Sequence, residues 1–280
     1  MAEITASNVA KLREMTSAGL MECKKALTES SGDLNAAVDI LRKKGAASAA
    51  KKSSREAKEG VIAQCILPGH KIGSIVEINC ETDFVARNES FRAFCDEVAA
   101  KVASNPAADL EADRTAQVAK IGENIKIARH HRIAVEGNGF IGSYIHTGAK
   151  VGVLVEVGVR NAATTDRDEF KQLVRDLTLQ IAAANPSVVA REHVDPAVIA
   201  KEREIAAEQV KGKPPQAIEG IVKGKLDKFY QGVCLVDQGF VKRNSDVTVR
   251  EHVSEVGKLV GDDIAIRRFL RLQVGEVPAS

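Results

Sequence analysis

Residues 60–106 read GVIAQCILPGHKIGSIVEINCETDFVARNESFRAFCDEVAAKVASNP, and residues 139–186 read GFIGSYIHTGAKVGVLVEVGVRNAATTDRDEFKQLVRDLTLQIAAANP. These stretches are two copies of one module, because identical residues recur 79 positions apart, as Gly60 does at Gly139. The first-copy residues that recur include Gly60, Ile62, Ile66, Gly69, Lys71, Gly73, Val76, Glu77 and Phe91. The apolar pattern of each copy predicts a strand, a hairpin turn, a second strand, a loop and a helix.

One segment of the module is not shared between its copies. Thr82–Asn88 reads TDFVARN, whereas the matching Asn161–Arg167 reads NAATTDR, and the two stretches do not match at any position. A divergent segment on a shared scaffold indicates a function that the scaffold does not have by itself. Sequence drift in an unconstrained turn is the alternative, and the apolar pair Phe84-Val85 in a predicted loop argues against it.

A second repeated segment closes each module. GENIKIARHHRIAVEG (122–137) is similar to GDDIAIRRFLRLQVGE (261–276), and both alternate as strands do. The spacing between these two segments is 139 residues, from Gly122 to Gly261, instead of 79. The second module therefore contains about 60 additional residues.

The additional residues predict an antiparallel helical hairpin, inserted at about residues 190–235. Its helical stretches, 197–210 and 216–233, are joined by Gly212-Lys213-Pro214-Pro215. The apolar residues expected to face one another are Ile199, Ile205 and Val210 on one helix, and Ile218, Ile221, Val222, Leu226 and Phe229 on the other. Such a hairpin is consistent with self-association, with partner binding and with a local two-helix core.

The first 45 residues predict three short helices that form a small unit. Their apolar stripes are Val9, Leu12 and Met15, then Leu20, Cys23, Ala26 and Leu27, and then Leu34, Ala37, Val38 and Leu41. Asp33 is a predicted N-cap of the third helix, and Gly45 is expected to end it. Residues 46–59 are rich in Ala, Ser and Lys without an apolar stripe, which predicts a linker that is partly helical.

Composition restricts the class of function. Forty basic and 38 acidic side chains leave a net charge of +2, and aromatic residues make up only 4% of the chain. Neither property favours direct binding to nucleic acid. The five cysteines form no CxxC pair and suit a reducing cytoplasm. No apolar run is long enough for a membrane span, and the charged N-terminus does not resemble a secretory signal.

The chain lacks recognisable catalytic motifs. Gly137-Asn138-Gly139-Phe140-Ile141-Gly142 fits GxGxxG, but a strand is predicted after it instead of a helix, so we interpret it as a hairpin turn. Adjacent His130 and His131 point to opposite faces of a strand and are poorly placed to share a metal. A cysteine nucleophile stays open from sequence alone. We expect no catalytic residues, no metal and no cofactor.

Segments along nearly the whole chain, in the right order, resemble the bacterial elongation factor Ts family. They are LREMTSAGLMECKKAL (12–27), SGDLNAAVDILRKKG (31–45), NCETDFVARNESF (79–91), AKIGENIKIAR (119–129), GSYIHTGAKVGVLVEV (142–157) and GKLDKFYQGVCLVDQGFVK (224–242). Family members often read TGAGMMDCKKAL where this chain has Ser17, Leu20 and Glu22. Leu20 keeps the apolar character of its position, so we expect docking through this segment to be retained.

The resemblance implies a guanine nucleotide exchange factor for elongation factor Tu in translation elongation. Such a protein binds the GDP-bound and nucleotide-free partner, weakens its hold on Mg²⁺ and GDP, and allows GTP to enter. The implied partner-binding residues are Thr82, Asp83, Phe84 and Val85 in the Mg²⁺-displacing loop, and Arg13, Leu20 and Met21 in the N-terminal docking helices.

The loop also suggests roles for its individual side chains. We expect Phe84 to act as a wedge against the partner. Asp83 is expected to fix the loop, either by capping the helix that begins near Ser90 or by bonding to a partner group. Arg87 and Asn88 are expected to anchor the far end of the loop.

The expected fold is α+β. Residues 1–45 form a three-helix docking domain, which the resemblance likens to the ubiquitin-associated fold, and residues 46–59 form a linker. Residues 60–138 form the N-subdomain of a duplicated core, and residues 139–280 form its C-subdomain with the hairpin at about 190–235 as a coiled-coil arm. A homodimer through this arm is a further expectation, as is a cytoplasmic location without membrane contact.

Overall fold

The computed structural model describes residues 4–16, 18–211 and 214–276, and it has an α+β architecture. The helices are α1 (Ala6–Thr16), α2 (Leu20–Glu29), α3 (Leu34–Lys52), α4 (Asp83–Arg87), α5 (Glu89–Ser104), α6 (Glu111–Ile121), α7 (Asp168–Ala184), α8 (Pro196–Glu208), α9 (Pro215–Val233) and α10 (Val249–Val260). The strands are β1 (Glu59–Ile66), β2 (Ile72–Cys80), β3 (Lys126–Ala134), β4 (Gly139–Ile145), β5 (Val151–Val159) and β6 (Ile264–Gln273). Residues 1–3, 17, 212, 213 and 277–280 lie outside this description, and so do the predictions that concern Ser17, Gly212 and Lys213.

Helices α1 to α3 form a small unit around an apolar core of their own. The side chains buried in it are Val9, Leu12, Cys23, Ala26, Leu27, Ala37 and Leu41. Asp33 begins α3 as predicted, because its carboxylate accepts hydrogen bonds from the N–H groups of Asn35 at 2.8 Å and Ala36 at 3.0 Å. Met15, expected on the apolar stripe of α1, is instead 54% exposed.

The prediction that Gly45 ends the third helix is wrong. Helix α3 continues through Gly45 to Lys52 and includes half of the predicted linker. Gly45 is buried next to Ala119 and Thr115 of α6, and Ala49 one turn later is buried in the core of the first module. Packing against α6 and this core outweighs the roughly 1 kcal/mol by which a glycine disfavours a helix interior.

The two modules fold alike. In the first, the antiparallel sheet has the order β1-β2-β3, and in the second the order is β4-β5-β6. Both sheets carry an irregularity in the same place, between Glu77 and Ile78 in one and between Glu156 and Val157 in the other. The GxGxxG segment leads directly into β4 after Gly137, which has a φ of 66°, so a strand follows it as predicted. The predicted hairpin is wrong, because β3 and β4 belong to different sheets and do not pair with each other.

The sheets pack face to face, and helices cover their outer faces. Helix α5 packs on the first sheet, and α7 with α10 packs on the second. The inner faces meet through Ile62, Ile75, Ile133, Ile141, Leu154 and Leu272. This arrangement places the segment after β2 and its counterpart after β5 at equivalent positions of the two modules.

Hydrogen bonds between the modules repeat with the duplication. The N–H of Ile62 donates to the carbonyl of Ala149 at 2.7 Å, and the N–H of its counterpart Ile141 donates to the carbonyl of His70 at 2.9 Å. The buried carboxylates of Glu77 and Glu156 each accept a hydrogen bond from an arginine on the neighbouring strand. The same arginine also donates a hydrogen bond to the other sheet. The inter-sheet contacts are Arg129 Nη2 to the Gln273 carbonyl at 2.7 Å and Arg268 Nη2 to the Ala134 carbonyl at 2.8 Å.

The residues inserted into the second module form a helical hairpin of α8 and α9. Its own small core contains Ala206, Val210 and Val222, with Ile218, Ile221 and Leu226 partly buried against them. Ile205, predicted to face the opposite helix, is instead 40% exposed, because Ala206 takes the inward position. None of the helices in the described part of the chain combines the length and apolar composition needed to cross a bilayer.

Candidate functional site

Phe84 is the most exposed large apolar side chain among the described residues. It lies on α4, a single helical turn between β2 and α5, and 81% of its surface is accessible. The predicted loop 82–88 therefore contains a short helix. The two residues that follow Phe84 point elsewhere: Val85 packs partly against the core of the first module, and Ala86 is buried in it. The segment thus presents one aromatic ring to solvent from an anchored backbone.

Thr82 begins this helix as its N-cap. Its hydroxyl oxygen accepts a hydrogen bond from the N–H of Val85 at 3.3 Å, and the same hydroxyl donates to the carboxylate of Glu123 at 2.7 Å. An N-cap satisfies a backbone donor that would otherwise lack a partner in the first turn. Because α4 has only five residues, such contacts decide whether it forms at all.

Asp83 does not cap the helix that follows. That helix, α5, begins at Glu89, and the side chain of Asn88 caps it by accepting from the N–H groups of Ser90 at 2.9 Å and Phe91 at 3.2 Å. Asp83 instead pairs with Arg87 at 2.9 Å on the surface of α4. Asn88 caps α5 because a capping side chain must directly precede the first turn of its helix. Asp83 lies more than a helical turn before that position in the chain.

The expected anchor at the far end of the segment is present in part. Asn88 holds it through its capping bonds to α5, and Arg92 Nε donates to the carbonyl of Ala86 at 3.1 Å. The Arg87 side chain is 75% exposed and contributes only the ion pair with Asp83. An exposed i,i+4 pair is worth roughly 0.3–0.5 kcal/mol, so this ion pair is a minor contribution to the anchoring.

The N-terminal helices expose a second apolar surface. Leu20 is 56% exposed and Met21 is 63% exposed at the start of α2, and Arg13 is exposed near the end of α1. Met15 lies between them in sequence and belongs to the same set of exposed side chains. Exposed apolar residues and an exposed cation on two neighbouring helices are typical of a protein-binding surface.

Comparison with known proteins identifies the family. The family model described as "Elongation factor TS" matches residues 81–276, which include the α4 segment. The elongation factor Ts of Nitratidesulfovibrio vulgaris (strain DP4) is 42% identical over 281 residues, covering 99% of this chain and 98% of that protein. The elongation factor Ts of Symbiobacterium thermophilum is 45% identical over 285 residues, covering 99% and 93%. That of Clostridium botulinum (strain Alaska E43) is 43% identical over 289 residues, covering 98% and 93%.

The chain belongs to the elongation factor Ts family. The resemblance found in its motifs is thereby confirmed, and membership makes this protein a translation elongation factor. The family match covers the Phe84 segment, and the full-length relatives extend it over the N-terminal helices that carry Leu20 and Met21.

The second module contains a counterpart of the Phe84 segment without the ring. Residues Ala162–Asp166 form a 3₁₀ turn where the first module has α4, and Ala163 takes the position of Phe84. Asp262 accepts hydrogen bonds from the Thr164 hydroxyl and from the N–H groups of Asn161 and Arg160. These bonds hold the pKa of Asp262 below its usual range, with the Thr164 hydroxyl contributing most.

Two cysteines of the first module are buried in surroundings that disfavour a nucleophilic role. Burial raises the pKa of the Cys80 thiol to about 12, and burial likewise raises the pKa of Cys95. Cysteine acts as a nucleophile through its thiolate, which such surroundings suppress. Within the described ranges, no three His, Cys, Asp or Glu side chains converge as the ligands of a metal ion would.

Two residues of this region were not found from sequence. Met15 fits the apolar stripe of α1 by its spacing, and spacing does not show where the buried part of a stripe ends. Glu123 is, from sequence, only one residue of the repeated segment 122–137. A signal for it existed, since an acidic residue follows the shared glycine in both copies, as Glu123 after Gly122 and Asp262 after Gly261.

Proposed function

We propose that this protein is a guanine nucleotide exchange factor for elongation factor Tu. It binds the GDP-bound partner and weakens the partner's contacts to Mg²⁺ and GDP. GDP leaves, and binding of GTP to the nucleotide-free complex then releases this protein. The observation that carries the proposal is the Phe84 ring, 81% exposed on an anchored helical turn, within the segment matched by the family model.

Exchange requires differential binding and no bond-making chemistry. An exchange factor must bind more tightly to a partner conformation that holds nucleotide badly. Burial of a phenylalanine side chain contributes about 1.5–3 kcal/mol, which corresponds to roughly 10- to 150-fold in affinity. Linkage makes the effect reciprocal, so GDP weakens binding of this protein by the same factor that this protein weakens GDP.

The preformed geometry of the segment supports this role. A wedge is effective when its binding energy is not spent on ordering its own backbone. Thr82 caps the beginning of α4, Asn88 caps the beginning of α5, and Ala86 between them is buried. The backbone that carries Phe84 is therefore fixed before the partner binds. In this proposal Thr82, Asp83, Phe84 and Val85 form the Mg²⁺-displacing element.

The N-terminal helices supply docking in the same proposal. Leu20 and Met21 expose apolar surface on α2, and Arg13 is an exposed cation on α1. These residues set the affinity for the partner, while Phe84 sets how strongly the bound partner is distorted. The protein has no catalytic residue in this proposal, needs no cofactor, and acts in the cytoplasm where translation takes place.

We also propose that the α8–α9 hairpin is a coiled-coil arm for association with a second copy. Val198 is 43% exposed and Ile205 is 40% exposed on α8, although the hairpin already has a core of its own. Exposed aliphatic side chains along a projecting helix favour pairing with another apolar surface.

The exchange proposal is tested with purified elongation factor Tu carrying a fluorescent GDP analogue. In stopped flow with excess GTP, the wild-type chain should accelerate release of the analogue. Phe84→Ala should reduce the accelerated rate about tenfold or more. The complex with the distorted partner loses about 1.5–3 kcal/mol of stabilisation when the phenylalanine ring is no longer there to be buried.

A matched control removes a different exposed apolar side chain. Leu259 on α10 is 65% exposed, and Leu259→Ala should retain the wild-type rate. A wild-type chain that leaves GDP release unchanged would refute the exchange function. A folded Phe84→Ala variant with full activity would refute only the wedge.

A further inference from the structure

The carboxylate of Glu123 holds the beginning of α4 through three hydrogen bonds. Its Oε2 accepts from the N–H of Glu81 at 3.0 Å and from the N–H of Thr82 at 3.1 Å. Its Oε1 accepts from the Thr82 hydroxyl at 2.7 Å. Glu123 therefore fixes two consecutive peptide groups and the capping hydroxyl, all within three residues of Phe84.

These contacts matter because α4 is too short to define its own orientation. A single helical turn is unstable in isolation and depends on tertiary contacts. The Thr82 hydroxyl accepts a hydrogen bond from the Val85 N–H and donates one to Glu123, so the carboxylate also orients the capping hydroxyl. The direction in which the Phe84 ring leaves the protein thus depends on Glu123.

The duplication provides a second, independent example of this support. Asp262 follows a left-handed glycine, Gly261 with a φ of 71°, as Glu123 follows Gly122 with a φ of 87°. Its carboxylate accepts from the N–H groups of Arg160 at 3.2 Å and Asn161 at 3.0 Å. It also accepts from the Thr164 hydroxyl at 2.6 Å. The scaffold supplies the carboxylate in both modules, but only the first module places an aromatic ring on the supported turn.

The same corner of the first module also contacts the end of α3. The N–H of Asn124 donates to Glu81 Oε1 at 2.6 Å, and Asn124 Nδ2 donates to the carbonyl of Arg55 at 2.7 Å. Asn124 is fully buried. The turn at Glu123-Asn124 thus holds both the Phe84 segment and the chain that leaves the N-terminal helices.

We propose that Glu123 is a positioning residue for nucleotide exchange, one that sets the direction of the Phe84 ring without touching the partner. The proposal rests on the exchange function proposed above. A misplacement of about 1 Å at a reacting geometry can cost on the order of 100-fold in rate, so loss of this support should affect the distorting step strongly. It should affect initial docking through α1 and α2 little.

The experiment measures the rate of GDP release from elongation factor Tu as a function of exchange-factor concentration. Glu123→Ala should lower the maximal release rate by about tenfold or more, with a half-saturating concentration within about twofold of wild type. Glu123→Gln keeps one acceptor oxygen for the two backbone N–H groups, so its maximal rate should be intermediate.

Asp262→Ala is the matched control. It removes an equivalent carboxylate from the turn that carries Ala163, and it should keep the wild-type maximal rate while losing as much thermal stability as Glu123→Ala. This separates positioning of the ring from a general loosening of the fold.

The outcomes distinguish this inference from the function on which it rests. Absence of acceleration by the wild-type chain would refute the exchange function itself. With an active wild type, a wild-type maximal rate for Glu123→Ala, or equal slowing by Asp262→Ala, would overturn the positioning role. Should Glu123→Ala not fold, a wild-type maximal rate for Glu123→Gln would overturn it equally.

Discussion

At the residue scale, two phenylalanines seven positions apart have opposite environments. Phe84 is 81% exposed, whereas Phe91 is fully buried in the core of the first module. The second module keeps the buried ring as Phe170 and has Ala163 in place of the exposed one. A residue shared by both copies thus serves the fold, and a residue present in one copy is free to serve binding.

This contrast predicts opposite effects on stability. Phe91→Ala should lower the free energy of unfolding by about 3–5 kcal/mol, because it leaves a cavity in a packed core. Phe84→Ala should change it by no more than about 0.5 kcal/mol, because the ring has few contacts to lose. Urea unfolding followed by circular dichroism measures both. A large loss of stability in Phe84→Ala would mean that the ring packs on its own protein instead of facing a partner.

At the element scale, α3 joins the N-terminal helices to the duplicated core without interruption. Asp33 caps its beginning in the N-terminal unit, and Ala49 near its end is buried in the core of the first module. Gly45 lies between them against α6. A continuous helix transmits the position of one end to the other more rigidly than a flexible linker does, so the N-terminal helices and the Phe84 segment are held relative to each other.

Gly45→Ala should therefore stabilise the protein. An added Cβ would lie 3.6 Å from the Ala119 Cβ, which is ordinary van der Waals contact, and alanine favours a helix interior over glycine by about 1 kcal/mol. The melting temperature should rise by roughly 2–4 °C. Gly69→Ala is the control, since the φ of 82° at Gly69 makes the same substitution unfavourable. A lower melting temperature for Gly45→Ala would contradict a continuous α3 in solution.

At the scale of the whole molecule, the duplicated core and the hairpin are stabilised separately. The two sheets share an apolar interface and reciprocal arginine contacts, whereas α8 and α9 pack around Ala206, Val210 and Val222. The hairpin is tied to the second module at its base, where Arg191 pairs with Asp227 at 2.9 Å. Its loss should therefore leave the core intact.

Replacement of residues 197–232 by a short Gly-Ser linker tests the proposed arm. The shortened chain should keep the melting profile of the core, and any self-association of the full chain should be lost, because the exposed Val198 and Ile205 go with the arm. Light scattering after size exclusion gives the mass of each. A full chain that is monomeric, or a shortened chain that keeps the same oligomeric state, would contradict pairing through the arm.

The sequence by itself determined the features that repeat or alternate locally. The 79-residue spacing established the duplicated module, alternation located its strands, and Asp33 was identified as a cap from its position alone. The divergence at Thr82–Asn88 singled out the Phe84 segment. Such signals are readable because period, capping and turn chemistry depend on residues that are close in the chain.

The tertiary structure alone decided which side chains are exposed and what supports them. Spacing puts Met15 on the apolar stripe of α1, and glycine chemistry predicts a helix end at Gly45. Met15 is exposed and Gly45 lies inside α3, because burial depends on which distant element packs there. The contact of Glu123 with Thr82 joins residues 41 positions apart, and no local pattern encodes it. Hydrogen bonds and burial that form across the fold exist only once the chain has been brought together, and they give Phe84 its direction.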